Sequence, residues 1–199
     1  MKKIILIGDS LIRCSNLKNS KKWTNILKKK FAEKNYNYKF YNFSINGITT
    51  EELLSNKKLL NKYEKINYLL ISIGTNDSVY WKSRKGNPRI SINKFKENIN
   101  VLFTYLRTLS IENIIVIIPH LFAKKTKEIN NKTHNQNIIF YKKNLVKYAK
   151  LYKINIINMT KHLRKYNRNE YCENMPDGIH LNSFGSHKYF EIIYNYMNK

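Results

Sequence analysis

Apolar and polar positions along the chain follow two alternating rhythms. Short, nearly continuous apolar runs at Lys3–Ile7, Tyr38–Phe43, Tyr68–Ile73, Asn113–Ile118 and Ile154–Asn158 read as strands buried on both faces. The second run alternates more than the others and also suits an edge strand. Between the runs, apolar positions recur at helical spacing. Trp23, Ile26, Leu27 and Phe31 share one face; Phe95, Ile99, Leu102, Phe103 and Leu106 share a second; Ile138, Tyr141, Leu145, Tyr148 and Ala149 share a third. Thr49 with Glu52, and Thr133 with Gln136, have the spacing of capping boxes at helix starts. A last helix is predicted from about Ser183 to Met197, with Tyr189, Phe190, Ile193 and Met197 facing inward.

Strand–helix alternation from end to end requires right-handed crossovers and a parallel sheet between two helical layers. The predicted fold class is therefore three-layer α/β/α, with a five-stranded parallel sheet in the order 2-1-3-4-5. Sites in such sheets form beyond the carboxyl ends of the strands. The longer loops there are Ser78–Ile90, His120–Lys132 and Thr160–Pro176. No repeat, low-complexity linker or boundary interrupts the pattern, and residues 1–199 read as a single domain.

Composition narrows the function classes. The formal net charge of +24 invites a nucleic-acid reading. The basic excess is spread along the chain with heavy use of Asn, Ile and Tyr, a mixture that a coding bias toward A and T produces by itself. No basic block, zinc-finger spacing or aromatic RNA-binding signature stands apart, so nucleic-acid binding is the minor reading. An anionic substrate stays open, because a field of this size attracts any anion. No apolar run has a membrane span's length. The run after Met1-Lys2-Lys3 is too short for a signal peptide, which points to a cytoplasmic protein, and too short to support lipidation at Cys14. Cys14 and Cys172 match no zinc or redox spacing and read as two reduced, partly buried thiols.

The scarce residues carry the chemistry. The chain has three aspartates, Asp9, Asp77 and Asp177, and 6 glycines. All of them except Gly86 fall in four short segments: Gly8-Asp9-Ser10, Ile45-Asn46-Gly47, Gly74-Thr75-Asn76-Asp77, and Asp177-Gly178-Ile179-His180 with Gly185 just after. Any one segment alone could be ordinary turn chemistry or an anion-binding nest. Their order, each beyond a predicted strand, is what turns alone do not explain.

In that order the chain resembles the SGNH (GDSL-like) hydrolase superfamily over nearly its full length. The first block is similar to Gly8-Asp9-Ser10-Leu11, the second to Gly47, the third to Gly74-Thr75-Asn76-Asp77, and the fifth to Asp177-Gly178-Ile179-His180. The resemblance implies a flavodoxin-like fold, a serine esterase, and a hydrolase without metal or organic cofactor. It also implies an oxyanion hole made by the Ser10 and Gly47 backbone N–H groups and the Asn76 side-chain amide.

These residue types suit the chemistry. A serine hydroxyl needs a base within hydrogen-bond reach to become a nucleophile. Ser10 follows the first strand, and His180 is the candidate base. Asp177, three residues earlier with Gly178 between, can place a carboxylate against the Nδ1 side of that ring. His187, inside the predicted last helix and without an evident acidic partner, is the rival base; His120, His134 and His162 have no assigned role. Asp9 and Asp77 read as structural, holding loops through backbone N–H groups. Tyr80, Trp81 and Arg84 interleave rings with cations, which suits a sugar carboxylate or phosphate, or else a solvated loop anchored by one Trp.

The expectation is an esterase that removes a short acyl group, acetyl above all, from a carbohydrate or small metabolite. A thioesterase or lysophospholipase with the same triad is the first alternative. A non-catalytic basic module binding nucleic acid or an anionic polymer is the other. Oligomeric state, and hydrolysis as against acyl transfer, are not decided by these residues.

Overall fold

The computed structural model describes residues 1–79, 87–123, 133–174 and 177–198. Five parallel strands, β1 (Lys2–Gly8), β2 (Tyr38–Asn42), β3 (Ile66–Ser72), β4 (Ile111–Ile118) and β5 (Asn155–Asn158), form one sheet in the order β2-β1-β3-β4-β5. The helices are α1 (Ser10–Arg13), α2 (Trp23–Glu33), α3 (Thr50–Ser55), α4 (Ile92–Arg107), α5 (His134–Leu151), α6 (Met159–His162), α7 (Arg168–Tyr171) and α8 (Ser183–Met197).

Alternation along each strand divides the core in two. Ile5, Ile7, Leu69, Ile71 and Val116 face α3, α4 and α5, where Leu53, Phe95, Leu102, Phe103 and Leu145 meet them. Ile4, Leu6, Leu70, Ile115 and Ile117 face α2 and α8, against Trp23, Leu27, Phe31, Tyr189 and Ile193. Burying one such side chain stabilises the fold by about 1.5–3 kcal/mol. The order reverses at β1, where β2 lies to one side and β3 to the other. The carboxyl ends of β1 and β3 therefore open the crevice in which such sheets build their sites.

The α/β/α architecture and the strand order are as the apolar rhythm predicts, and both capping boxes form. Boundaries differ where polar residues enter a ladder. β3 begins at Ile66 rather than Tyr68, because Asn67 fits among the strand starts. Its Oδ1 accepts the Lys3 N–H at 2.8 Å and its Nδ2 donates to Glu112 at 2.8 Å. The predicted loop 160–176 contains α6's end and all of α7, both too short to show a period; α7 opens on a further capping box, Asn167 with Glu170. Both cysteines are free and buried. Among the described residues no helix is long and apolar enough to cross a membrane.

Candidate active site

The site begins with a glycine at the end of β1. Gly8 pairs with Ser72 of β3, and a Cβ on it would lie 2.1 Å from the Ser72 carbonyl oxygen, at φ +143°. Only glycine lets the two strands close to their last residue. Asp9 then caps α1: its Oδ1 accepts the Leu11 N–H at 3.0 Å and its carbonyl accepts Ile12 and Arg13. Burial pushes its carboxyl up to about 6, against the pull of the Leu11 bond. The turn leaves Ser10 as the first residue of α1, 8% exposed.

The segment between α7 and α8 brings the second half. Asp177 Oδ1 accepts both the Ile179 and His180 N–H groups at 2.8 Å, while Oδ2 lies 2.8 Å from His180 Nδ1. His180 Nε2 lies 2.9 Å from Ser10 Oγ. An ionised carboxylate only accepts, so Nδ1 carries the ring proton and Nε2 accepts from the Ser10 hydroxyl. Burial raises the Asp177 carboxyl, but the His180 N–H, the His180 ring and the Ile179 N–H together hold it below its ordinary value. The segment is anchored along its backbone: the His180 carbonyl accepts the Glu173 N–H at 2.7 Å, and the Leu181 carbonyl accepts Asn16 Nδ2 at 2.9 Å.

Two loops flank Ser10. The loop after β2 is tied to the Gly8-Asp9-Ser10 turn by the Ile45 N–H, which donates to the Gly8 carbonyl at 2.8 Å, and by Arg13, which donates to the Ser44 carbonyl at 2.7 Å. Gly47 sits at φ +76°, and a Cβ there would make only an ordinary contact with Arg89 at 4.0 Å, so its backbone angle is what calls for glycine. Asn76 Nδ2 donates to the Ile48 carbonyl at 3.1 Å, which sets the block after β3 beside that loop. Asp77 completes the join, accepting the Thr50 N–H at 3.0 Å and the Thr50 hydroxyl at 2.5 Å. Burial pushes the Asp77 carboxyl up to about 6. Among the described residues, neither the Ser10 nor the Gly47 N–H has a hydrogen-bond acceptor. Two N–H donors beside a nucleophile are the elements of an oxyanion site.

The structure thus brings Ser10, His180 and Asp177 into one hydrogen-bonded chain and sets Gly47 and Asn76 in the adjoining loops. Tyr80, Trp81 and Arg84 lie outside the described residues. One expectation is corrected: His187 does have an acidic partner, Glu191 Oε1 at 3.3 Å one turn along α8, and its side chain is 53% exposed. Three more residues join the frame. Arg89 donates to the Gly47 carbonyl at 2.6 Å and approaches Glu52 at 3.6 Å. His120 faces the Ile179 carbonyl, and Lys142 donates to the His120 carbonyl. The only trace of His120 in the sequence is its place just past a strand end.

Two of the larger surface hollows, of about 620 Å³ near Lys21, Ile26 and Phe184 and about 470 Å³ near Phe31, Tyr36 and Met197, hold neither Ser10 nor His180. Among the described residues no group of three or more His, Cys, Asp or Glu side chains is arranged to hold a metal ion.

A model of the family described as GDSL-like lipase/acylhydrolase matches residues 4–193. A segment of 76 residues is 32% identical to Esterase TesA of Pseudomonas aeruginosa; the match spans 38% of this chain and 38% of that protein's length. The fold is similar to that of a lipase/acylhydrolase from Enterococcus faecalis, with a TM-score of 0.76, 21% identity, and 99% of this chain and 95% of that one covered. It is also similar to Axe2, an acetylxylan esterase from Geobacillus stearothermophilus, with a TM-score of 0.77, 13% identity, and 100% and 94% covered.

Proposed function

The chain belongs to the GDSL-like lipase/acylhydrolase family and is a carboxylic ester hydrolase, and from that premise we propose that it removes short acyl groups, acetyl above all, from a carbohydrate or small-metabolite ester. The observation that supports this most is the unbroken chain from Asp177 through His180 to Ser10, at 2.8 and 2.9 Å.

The steps follow from the protons. Asp177 keeps the His180 proton on Nδ1, which leaves Nε2 to take the Ser10 proton as Oγ attacks the ester carbonyl. The negative charge that develops on the carbonyl oxygen is met by the Ser10 and Gly47 N–H groups and by the second N–H of the Asn76 amide. Collapse expels the alkoxide, and His180 returns the proton to it. Water then enters and attacks the acyl carbon as it loses a proton to the same Nε2; the bond from the acyl carbon to Ser10 Oγ breaks, His180 returns the proton to Oγ, and the acid leaves.

The acyl preference rests on the walls. Arg89 sits beside Gly47, and Arg164, Lys165 and Arg168 follow β5. A tunnel for a long chain needs apolar lining, worth about 0.8 kcal/mol per buried methylene. Cationic loops match a hydrated, anionic acceptor better than a long acyl chain, and the protein with the similar fold is an acetylxylan esterase. The experiment is turnover of p-nitrophenyl esters from acetyl to palmitoyl by wild type and Ser10→Ala, with circular dichroism of both. A folded, inactive variant and a kcat/KM that falls with chain length are expected. A kcat/KM that climbs toward palmitoyl replaces this reading with the thioesterase or lysophospholipase one, and turnover by folded Ser10→Ala removes the nucleophile.

A further inference from the structure

His120 is wholly buried at the carboxyl end of β4, yet each of its polar atoms is engaged. Nε2 lies 2.9 Å from the Ile179 carbonyl oxygen, and Nδ1 lies 2.8 Å from the Tyr189 hydroxyl on α8. The His120 N–H donates to that same hydroxyl oxygen at 3.3 Å. A carbonyl only accepts, so Nε2 carries the proton, and Nδ1 accepts the Tyr189 O–H. Burial, helped by the nearby Lys142 charge, pushes the ring down to about 3, so it is neutral wherever an esterase works. The segment that carries it is held firmly. Thr160 donates to the Pro119 carbonyl at 2.8 Å, Lys142 to the His120 carbonyl at 2.7 Å, and Tyr171 to the Leu121 carbonyl at 2.9 Å.

We propose that His120 is a positioning residue for His180, acting through the peptide group that joins Ile179 to His180. That peptide is planar, so its carbonyl and its N–H turn together. The N–H end donates to Asp177 at 2.8 Å, and the carbonyl end accepts from His120 at 2.9 Å. With both ends held by different parts of the fold, the plane cannot rock, and the Cα–Cβ bond of His180 keeps its aim at Ser10. Asp177 alone holds only one end. A carbonyl released from His120 lets the plane tilt about the Asp177 contact, and a base displaced by an ångström costs up to about 100-fold in rate. The inference rests on the assignment of Ser10 and His180 proposed above.

The test compares His120→Phe, His120→Gln, Tyr189→Phe and His180→Ala by thermal melting, p-nitrophenyl acetate kinetics and the rate of fluorophosphonate labelling. His120→Phe keeps a ring but no donor; His120→Gln restores an N–H near the Nε2 position. We expect kcat and labelling of His120→Phe to fall about 10- to 100-fold with KM within twofold, and His120→Gln to recover most of the loss. Tyr189→Phe, which frees Nδ1 without altering shape, should lose severalfold in kcat at unchanged KM. A purely structural His120 would lower the melting temperature and leave the kcat of the folded protein alone; that result overturns the proposal, as does a Gln variant no better than Phe. Should His120→Phe not fold, the kcat of Tyr189→Phe decides by the same criterion. His180→Ala separates the two levels: activity in that variant overturns the base assignment and the proposal together, whereas an inactive His180→Ala beside a normal His120→Phe overturns the positioning role alone.

Discussion

Replacing Lys142 with Met should make the protein's stability less dependent on pH in the neutral-to-alkaline range. Lys142 lies on α5, 8% exposed, with Nζ 2.7 Å from the His120 carbonyl oxygen and 3.0 Å from Thr160 Oγ1. Burial, with the Arg168 charge adding to it, pushes the ammonium down from 10.5 to about 7. Below pH 7 the lysine is protonated in both the folded and unfolded states, and the folded state bears the full cost of a buried charge. Between pH 7 and 10.5 the unfolded chain binds the extra proton, so stability rises with pH. For one group with these two values, the rise from pH 7 to pH 9 is about 2 kcal/mol. The +24 net charge also relaxes as pH rises, but it does so in wild type and variant alike. The difference between the two isolates Lys142, and the loss of its two hydrogen bonds adds only a pH-independent offset. Urea unfolding followed by circular dichroism at pH 6, 7, 8 and 9 supplies the four differences. If the wild-type-minus-variant stability is the same at all four, the ammonium does not titrate in this range, and the reasoning from burial fails.

His180→Ala should reduce turnover to background, while His187→Ala, whose ring is exposed and paired with Glu191, should stay within about twofold of wild type. Asp177→Asn should keep about 10- to 100-fold more activity than His180→Ala, because losing the orienting acid costs less than losing the base. It should also weaken the fold's dependence on acid: the depressed Asp177 carboxyl stabilises the fold above its ordinary value, a contribution lost as pH falls through the folded one. Urea midpoints across acidic pH check the sign. Asn76→Ala should lower kcat by about 10²–10³ with a melting temperature near wild type; an unchanged kcat removes Asn76 from the oxyanion site. Gly8→Ala drives a Cβ to 2.1 Å from the Ser72 carbonyl, and thermal melting should show a loss of about 2–5 kcal/mol.

What the sequence disclosed, it disclosed through contrast. In a chain built of Lys, Asn and Ile, the few Asp and Gly residues stand out, and they mark Ser10, Gly47, Asn76, Asp177 and His180 without any coordinates. Strand order followed because buried parallel strands read as unbroken apolar runs. The start of β3 was hidden, since Asn67 looks like loop chemistry until its partners on β1 and β4 are seen. His120 and Lys142 were illegible for a different reason. Each acts on a backbone carbonyl, and a carbonyl leaves no mark in sequence. His187 misled in the other direction, because Glu191 was visible one helical turn away and only its reach was not.

Ser10 and His180, the proposed nucleophile and base, meet across 170 positions of chain. Synthesis lays down Ser10 170 residues before His180, so the partners are separated in time as well as along the sequence. A ribosome-bound chain that has emerged only through β4 carries Ser10 but not His180, and on the proposed mechanism it has nothing to withdraw the serine proton. Such a chain cannot attack the cell's esters while it is still being made. On the proposed mechanism activity therefore reports that synthesis has passed His180: a product stopped after β4 holds four of the five strands and is silent toward an active-site serine probe. Fluorophosphonate labelling of nascent chains would count the molecules in which Ser10 and His180 have come together, a contact whose long sequence separation makes it slow to form.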